Sequence, residues 1–401
     1  MSAESPVRTL REVLLRIESG WSPVCESREP GRAEWGVLGL GAVTSGVFLE
    51  DEAKKLPSSL PPREVLEVQA RDVLIARANG SKRLVGVGVV VPDGSRRRLL
   101  FPDLIYRLVP DPRLVDPQYL GLVVAAPLFR HQVESAMRST SGQFKISKAD
   151  LQDFVVPVPD IPHQRRIVEV AAALGEQERA IEAAIDKSRL IRQEVARELL
   201  SRRETAVVAV EDVAVVGSGS TPSRSRSDYW TEGTVPWVRT AEIGFSVIHE
   251  ASECVTRKAV VETGLRVYPP GTVLLAMYGE GVTRGRSAVL GTHATVNQAA
   301  AAIVCNPQNI DYRYLYYWLE RHYEGIRKIG QGSNQTNLNS ALVSAIRLPL
   351  PSLDEQRRIV APIEAFDAKL KSDVLELEKV RTLRRGVVNG LLLGKPRQLA
   401  A

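Results

Sequence analysis

The loop at residues 278–286, in the second half of the chain, combines side chains that suit contact with nucleic acid. Between glycines it holds an aromatic ring, a hydroxyl, a carboxylate and two guanidinium groups, on Tyr278, Glu280, Thr283, Arg284 and Arg286. Arginine can form bidentate hydrogen bonds with guanine or clamp a phosphate, and glutamate can accept a hydrogen bond from the cytosine amino group. A solvated turn with an exposed charge cluster is the alternative interpretation of this segment.

The corresponding loop in the first half is also basic. It carries hydroxyl, amide and cationic groups on Arg77, Asn79, Ser81, Lys82 and Arg83. Asparagine suits adenine, because its amide can pair with adenine N6 and N7. The Asn-Gly pair also predicts a tight turn, and the two interpretations are compatible.

Two polar segments farther along each half form a second set of candidates. They offer hydroxyl, amide and amino groups on Ser141, Gln143 and Lys145 in the first half and on Ser333, Gln335 and Thr336 in the second. Such groups suit phosphate and base contacts, and they suit helix capping equally well. A third group of candidates is Trp237, Arg239 and Thr240. Trp237 in this setting also fits a role as a core anchor.

Catalytic interpretations fail on spacing. The five histidines have no metal-ligand spacing, and the three cysteines form no Cys-x-x-Cys pair. The segment Gly390–Pro396 lacks the spacing of a phosphate-binding loop and the hydroxyl residue that follows its lysine. Asn306–Gln308 lacks the second proline and the aromatic residue of the Asn-Pro-Pro-aromatic element of adenine methyltransferases. The sequence therefore predicts neither a catalytic centre nor a metal site.

Length and composition predict a folded protein of at least two domains. The chain has 401 residues, of which 44% are hydrophobic and 25% charged, as is usual for globular proteins. A net charge of +6 is compatible with a polyanionic binding partner. The longest apolar stretches, such as Val85–Val91 and Val387–Leu393, are too short to span a bilayer. We therefore expect a cytoplasmic protein.

An internal repeat organises the chain. Residues 156–168 align without a gap on residues 348–360, which lie 192 positions later and share the sequence Gln-Arg-Arg-Ile-Val. A second match pairs Val73–Ala76 with Val273–Ala276, 200 positions later. The two halves are therefore homologous in pattern, each about 200 residues long.

The predicted secondary structure of each half changes at its Pro-x-Pro element, because alternating prolines interrupt helices and strands. Short β-like runs and one helical patch precede it, with the patches at 117–133 and 311–329. About 40 residues almost free of proline follow it, at 163–203 and 353–393. Each half therefore predicts a mixed α and β globular domain followed by a long helix.

Apolar residues in both long segments recur at spacings of three and four, which marks one stripe of a helix. The first stripe reads Ile167, Ala171, Leu174, Glu178, Ile181, Ile185, Ser188, Arg192, Val195 and Leu199. The second reads Ile359, Ile363, Phe366, Leu370, Asp373, Leu377, Val380, Arg384, Val387 and Leu391. We expect the two stripes to pack on each other as an antiparallel pair. The alternative is that each helix packs on its own globular domain.

The predicted fold class is α+β. It comprises two mixed α/β domains separated by two long, antiparallel, coiled-coil-like helices, with a pseudo-two-fold internal repeat. The expected boundaries give a first globular domain at 1–160, a central helix at 161–204, a second globular domain at 205–351 and a C-terminal helix at 352–401.

At this level of detail the chain resembles the specificity subunits of type I restriction-modification systems over nearly its whole length. The resemblance rests on both Pro-x-Pro junctions and on a series of blocks in the second half, at 219–223, 229–230, 235–240, 270–279, 283–286 and 297–299. The first half departs from the pattern. It has Ala76–Gly80 where the second has Ala276–Glu280, and Trp35–Val37 where the second has Pro236–Val238.

The resemblance implies a DNA-recognition subunit without catalytic activity, in which each globular domain is a target recognition domain that reads one half of a split, asymmetric DNA target. It favours DNA contact for the candidate loops. It also implies that the paired helices set the half-site spacing and dock two methyltransferase subunits, with restriction and translocase subunits joining the complex. S-adenosylmethionine, ATP and Mg²⁺ are then expected on partner subunits, in a complex that methylates adenine and cleaves DNA.

Two other functions remain open to sequence reasoning. One is a stand-alone DNA methyltransferase with its own target domain, which the missing cofactor and catalytic motifs disfavour. The other is a structural adaptor whose globular domains bind protein.

Overall fold

The computed structural model describes residues 6–140, 142–201, 205–279, 282–329 and 337–393. The chain divides into two compact units. The first unit contains the residues up to 182 and those from 376 onward, and the second contains residues 183–375. The division therefore passes through both long helices, so that each unit holds one globular part and a portion of each helix.

The described residues of the first unit form four small sheets. The largest has the spatial strand order Leu14–Ser19, Ile105–Pro110, Val73–Ala76 and Gly88–Val90. Two sheets have three strands each, in the orders Ala53–Lys55, Gly36–Leu38, Leu99–Leu100 and Arg138–Thr140, Gln143–Lys145, Ala78–Asn79. The fourth sheet pairs Val7–Thr9 with Val155–Pro157. All pairings are antiparallel except that of Gly36–Leu38 with Leu99–Leu100.

The second unit repeats much of this plan. Its largest sheet has the spatial strand order Ala214–Ser218, Ala300–Cys305, Val273–Ala276, Ser287–Leu290 and Val247–Ile248. A second sheet has the order Cys254–Val255, Val235–Val238 and Thr295–Val296, and a third pairs Val207–Ala209 with Arg347–Pro349. The strand pair Val7–Thr9 and Val155–Pro157 of the first unit corresponds to the last pair, with Val7 opposite Pro157 and Val207 opposite Pro349.

The repeated strand is the centre of each core. Val73–Ala76 and Val273–Ala276 are buried throughout, because each lies inside a sheet that is covered on both faces. In both strands the second residue, Leu74 or Leu274, faces one hydrophobic cluster, whereas its two neighbours face another. This alternation is the two-residue period of a strand.

The shorter helices lie mostly between strands. They are Leu10–Val13, Gly41–Thr44, Pro117–Val124, Pro127–Ala136 and Lys148–Gln152 in the first unit, and Val210–Val213, Arg257–Thr263, Tyr312–Arg321, Tyr323–Ile326 and Ser340–Ser344 in the second. Four 3₁₀ turns are Glu64–Leu66, Lys82–Leu84, Ser227–Tyr229 and Thr240–Glu242. The helical patches predicted at 117–133 and 311–329 are therefore confirmed, and the structure divides each into two helices. In the first, Pro127 starts a new helix because it cannot donate a backbone hydrogen bond.

The long helices are Ile161–Leu199 and Leu353–Leu392, which begin at equivalent positions of the repeat. The second continues through Pro362. No helix in the described ranges combines the length and apolar character needed to cross a membrane.

One buried glutamine joins each long helix to its globular part. The side chain of Gln164 is fully buried, accepts a hydrogen bond from the Asp116 backbone N–H at 2.8 Å, and donates to the carbonyls of Leu114 and Pro159 at 2.7 Å. Gln356 makes the same three bonds, with the Asp311 N–H and with the carbonyls of Asn309 and Pro351. These bonds satisfy buried backbone groups at the start of each helix, which gives the duplicated Gln-Arg-Arg-Ile-Val motif a physical reason.

The helices run antiparallel where they meet within the first unit. Arg384 pairs with Glu178 at 2.8 Å, and Arg381 pairs with Glu182, so the numbering rises along one helix as it falls along the other. In the second unit Arg192 pairs with Asp367 at 2.7 Å. The pairing that the stripes predict is therefore confirmed.

The long helices also pack on the globular parts, which is the alternative that the sequence left open. The end of the second long helix, at Leu392, belongs to the core of the first unit, and Ala196 and Leu200 belong to the core of the second. Each globular part thus packs on the start of its own helix and on the end of the other. The predicted fold class, two α+β globular parts each followed by a long helix in an internal repeat, is confirmed.

Candidate nucleic-acid interface

The two candidate segments of the first half lie side by side in one small sheet. Ala78–Asn79 pairs with Gln143–Lys145, with Phe144 opposite Asn79. Gln143–Lys145 also pairs with Arg138–Thr140, which places Arg138 opposite Lys145. Side chains that are more than 60 positions apart in the sequence therefore share one surface.

The side chains of this sheet point alternately to its two faces. Gln143 and Lys145 are exposed and share one face, because alternate residues of a strand point the same way. Phe144 points to the other face, where the amino group of Lys82 lies 5.1 Å from its ring centroid. A cation over a ring is attracted to its electron-rich face. Both faces therefore carry a cationic group.

The loop that follows Asn79 is held by local hydrogen bonds. The Asn79 side chain accepts from the Ser81 backbone N–H at 2.9 Å, as a turn-forming asparagine does. The Arg130 guanidinium donates to the backbone carbonyls of Lys82, at 2.8 Å, and Arg83. These bonds fix the backbone while Ser81, Lys82 and Arg83 stay exposed.

Arg77 lies at the base of this surface and is half-buried. Its guanidinium donates to the Tyr106 hydroxyl at 3.1 Å and lies 5.3 Å from the centre of that ring. Its buried Nε has no hydrogen-bond acceptor among the described residues. An unsatisfied buried donor is costly, and it makes Arg77 a group that a polar ligand could satisfy.

The candidate loop of the second half leaves the equivalent strand in a different conformation. Tyr278 is 40% exposed, and the loop passes through Gly279 and Gly285 at φ values of 132° and 85°. A Cβ added to Gly285 would also lie 3.3 Å from Arg327, so glycine is needed there for both reasons. Thr283 is half-buried between the two glycines.

Arg284 does not fit the predicted direct contact with a base. Its side chain is buried, with 8% of the residue exposed, and it donates a hydrogen bond to the Arg327 backbone carbonyl. A guanidinium committed to a carbonyl in this way positions the backbone beside it. We therefore revise its role from reading DNA to holding the segment around Arg327.

Arg286 lies instead beside an aromatic pair that the sequence analysis missed. Its guanidinium is 5.9 Å from the Phe245 ring, which meets Tyr323 edge to face at 5.3 Å. Arg327 lies 5.8 Å from the Tyr323 ring on the same pair. These rings come from separate parts of the sequence, so spacing alone gave no signal for them.

Trp237 is a core residue, which corrects its inclusion among the DNA contacts. It is 2% exposed, and its indole N–H donates to the Ser220 carbonyl at 3.0 Å. Trp230 packs edge-on against it at 5.1 Å, and the Arg224 guanidinium lies 3.7 Å above the Trp230 ring. Arg224 is the exposed cation of this group, and the sequence analysis did not select it.

Arg239 and Arg224 share one carboxylate, Glu253. Arg239 pairs with it at 3.0 Å, and Arg224 donates a hydrogen bond to it. The hydrogen bond from Arg224, followed by the charges of both arginines, lowers the pKa of Glu253 below its usual range. The carboxylate therefore stays ionised and holds both guanidinium groups at the surface.

Thr240 belongs to a polar contact between separate sequence blocks. Its hydroxyl donates to the Asn297 side-chain oxygen at 2.9 Å, and the Thr221 hydroxyl donates to the side-chain oxygen of Gln298. The blocks at 219–223, 235–240 and 297–299 thus meet in one place.

Five of the selected residues, Ser141, Glu280, Ser333, Gln335 and Thr336, lie outside the described residues. Within the described ranges, no three His, Cys, Asp or Glu side chains come together as a metal site.

Comparisons with known proteins agree on one family. Residues 203–379 match the family described as "Type I restriction modification DNA specificity domain". The chain is 29% identical over 180 residues to the type I restriction enzyme MjaIX specificity subunit of Methanocaldococcus jannaschii, covering 42% of this chain and 40% of that one. It is 33% identical over 162 residues to the EcoEI specificity subunit of Escherichia coli, covering 39% of this chain and 26% of that one.

The matched part therefore spans less than half the length of these curated relatives. The fold extends the likeness. The crystal structure of the type I restriction-modification system S subunit from M. genitalium superposes with a TM-score of 0.59 at 14% identity, over 96% of each chain. The chain is therefore similar to type I restriction-modification specificity subunits, in sequence over residues 203–379 and in fold over nearly its whole length.

Proposed function

We propose that this chain is the DNA-recognition subunit of a type I restriction-modification complex, and that each globular part reads one half of a bipartite, asymmetric target. The observation that carries the proposal is the duplicated reader. After equivalent strands, Val73–Ala76 and Val273–Ala276, each unit presents a loop with a cation beside an aromatic ring of another segment: Lys82 beside Phe144, and Arg286 beside Phe245. The two loops differ in their residues, and two different readers require an asymmetric target.

The proposed contacts in the first unit are Arg77, Asn79, Ser81, Lys82, Arg83, Gln143 and Lys145, together with Ser141. In the second unit they are Arg239, Thr240, Tyr278, Thr283 and Arg286, with Glu280, Ser333, Gln335 and Thr336. We add Arg224 and Arg327 to the proposal because their guanidinium groups lie beside aromatic rings. Cations at the surface supply phosphate contacts, which position a protein on DNA, and the amides and guanidinium groups supply base readout.

The long helices have the properties of a spacer and of a docking surface. A helix rises about 1.5 Å per residue, and the two long helices, Ile161–Leu199 and Leu353–Leu392, have 39 and 40 residues. We propose that these lengths determine the spacing between the two half-sites. Large apolar side chains are exposed at equivalent positions of the two helices, with Ile191 at 39% and Leu383 at 42%. Exposed apolar residues of this kind suit protein contact.

We propose that methyltransferase subunits dock on these helices and that restriction and translocase subunits complete the complex. In this proposal the chain itself is not an enzyme. S-adenosylmethionine, ATP and Mg²⁺ bind the partner subunits, which methylate adenine and cleave DNA in the cytoplasm. The proposal of a stand-alone methyltransferase is weaker, since no cofactor motif accompanies the target readers in the sequence.

Selection of duplexes from a random library by the full chain, co-purified with its methyltransferase partners, tests the proposal. We expect a motif of two specific half-sites separated by unspecified base pairs. Lys145→Ala should weaken binding to all selected sequences, whereas Arg286→Ala should relax selection in one half-site only. A library that returns no motif, together with binding that is insensitive to salt, would support the adaptor function instead.

A further inference from the structure

The two units differ sharply around one pair of equivalent arginines. In the second unit Arg192 is enclosed. Its guanidinium donates to Glu320 at 2.8 and 3.1 Å and to Asp367 at 2.7 Å, and the Tyr317 hydroxyl donates to Asp367 at 2.7 Å. Only 15% of the Arg192 side chain is exposed.

The repeat identifies the matching positions in the first unit. The long helices correspond at an offset of 192 residues, so Arg384 matches Arg192, and Gly175 matches Asp367. The preceding helices, Pro117–Val124 and Tyr312–Arg321, are each capped by an aspartate. Each also has a tyrosine, Tyr119 or Tyr314, whose hydroxyl donates to the equivalent carbonyl of Pro157 or Pro349. That alignment matches Ala125 to Glu320 and Leu122 to Tyr317.

Three small or apolar residues thus replace two carboxylates and a phenol. Arg384 keeps an ion pair with Glu178 at 2.8 Å, but 40% of its side chain is exposed. An open groove of about 520 Å³ lies beside it. Its lining includes the apolar residues Leu122, Ala125 and Val388, the carboxylate of Glu178, and the guanidinium groups of Arg381, Arg384 and Arg385. The groove occupies the place that the Arg192 cluster fills in the second unit.

A second, apolar cavity adjoins this groove. It measures about 170 Å³, lies between Phe129 and Leu392, and shares the wall residues Ala126, Pro127 and Asn389 with the groove. The combined surface has three guanidinium groups at one end and an apolar hollow at the other. An amphipathic helix matches such a surface, because its side chains three and four residues apart lie on one face.

We propose that this groove binds a helix of a partner protein that presents an aromatic residue and, three positions later, a carboxylate. Such a helix would reproduce for Arg384 what Tyr317 and Glu320 supply to Arg192. We assign a carboxylate, and not a nucleic-acid phosphate, because the second unit uses carboxylates at the equivalent place. The inference goes beyond the proposed function, since it assigns one unit a protein-docking site that the other unit has closed.

The probe is a synthetic alanine-based helical peptide with tyrosine and glutamate at positions i and i+3 and a leucine one turn later. We expect it to bind the full chain with one-to-one stoichiometry, measured by fluorescence anisotropy. Replacing the peptide glutamate with glutamine should weaken binding at least tenfold. The double variant Ala125→Glu/Gly175→Asp should weaken it to the same degree, because it gives Arg384 two more carboxylates from its own chain in addition to Glu178.

The fold of that variant can be checked directly. A Cβ at position 175 would lie 3.8 Å from the guanidinium carbon of Arg384, which is ordinary contact. We therefore expect a melting temperature at or above that of the unmodified chain. The matched control is Ala173→Glu, which adds a charge to an exposed position of the same helix and should leave peptide binding unchanged.

Equal binding of the glutamate and glutamine peptides would overturn the proposal, as would peptide binding that survives in the filled double variant. Displacement of the peptide by a short DNA duplex that lacks the selected motif would also overturn it, by showing a phosphate site. Recovery of a bipartite motif by the unmodified chain tests the proposed function separately, because DNA selection does not require the peptide.

Discussion

The equivalent arginines Arg192 and Arg384 allow one substitution to be tested in two environments. Replacing Arg192 with methionine keeps most of the apolar stem but leaves Glu320 and Asp367 facing each other without a cation. Their side chains are 21% and 39% exposed, against 15% for Arg192. Breaking a fully buried pair costs about 3–5 kcal/mol, and partial exposure reduces this to about 2–3 kcal/mol here.

Arg384→Met is the matched comparison. It breaks one ion pair, with Glu178, at a guanidinium that is already 40% exposed, so we expect a cost of about 0–1 kcal/mol. Urea unfolding followed by circular dichroism measures both variants. With a slope of about 1–3 kcal/mol per molar urea, a difference of about 2 kcal/mol separates the two midpoints by about 1 M. Equal shifts, or a larger shift for Arg384→Met, would refute the reasoning that the two arginines differ in enclosure.

Three further predictions concern the helix junction, the DNA surface and a buried histidine. Gln164→Ala should destabilise the chain by about 3 kcal/mol in urea unfolding, because it leaves buried backbone groups unpaired, and Gln356→Ala should cost a similar amount since it breaks the same bonds. Lys145→Ala should lower the slope of log affinity against log salt by about one, measured by fluorescence anisotropy on selected duplexes, and an unchanged slope would remove it from the phosphate contacts. Burial lowers the pKa of His322 below its ordinary value, so the neutral ring is favoured in the fold, and stability should fall as pH drops below about 6.5. His322→Phe should reduce the loss of melting temperature between about pH 7.5 and about pH 5.5, and an identical loss in both proteins would contradict this assignment.

The repeat was the part of the fold that the sequence predicted best. Identical junction motifs fixed the equivalence of Gln164 and Gln356, and the spacing of apolar residues predicted the long helices and the stripe through which they pair. The break at Pro127 was missed because the apolar pattern continues across it, although a proline at that point can start a helix as well as extend a turn.

The candidate site was harder to predict from the sequence, because its contacts join segments that are far apart in the chain. Composition identified Asn79 and Lys145 separately, but only the strand pairing places their segments in one small sheet. The burial of Arg284 could not be predicted, since the carbonyl that it contacts belongs to Arg327, 43 positions later. Trp237 shows the converse difficulty, because a large ring near polar residues suits a core as well as a binding surface.

The central claim is that this chain selects the DNA target of its complex. Methylome sequencing of a host that carries the gene with its neighbours, before and after deletion of this chain alone, tests that claim most directly. The account predicts loss of methylation at one split, asymmetric adenine motif while other motifs stay methylated. Unchanged methylation at every motif of a host in which the partner subunits are active would contradict it.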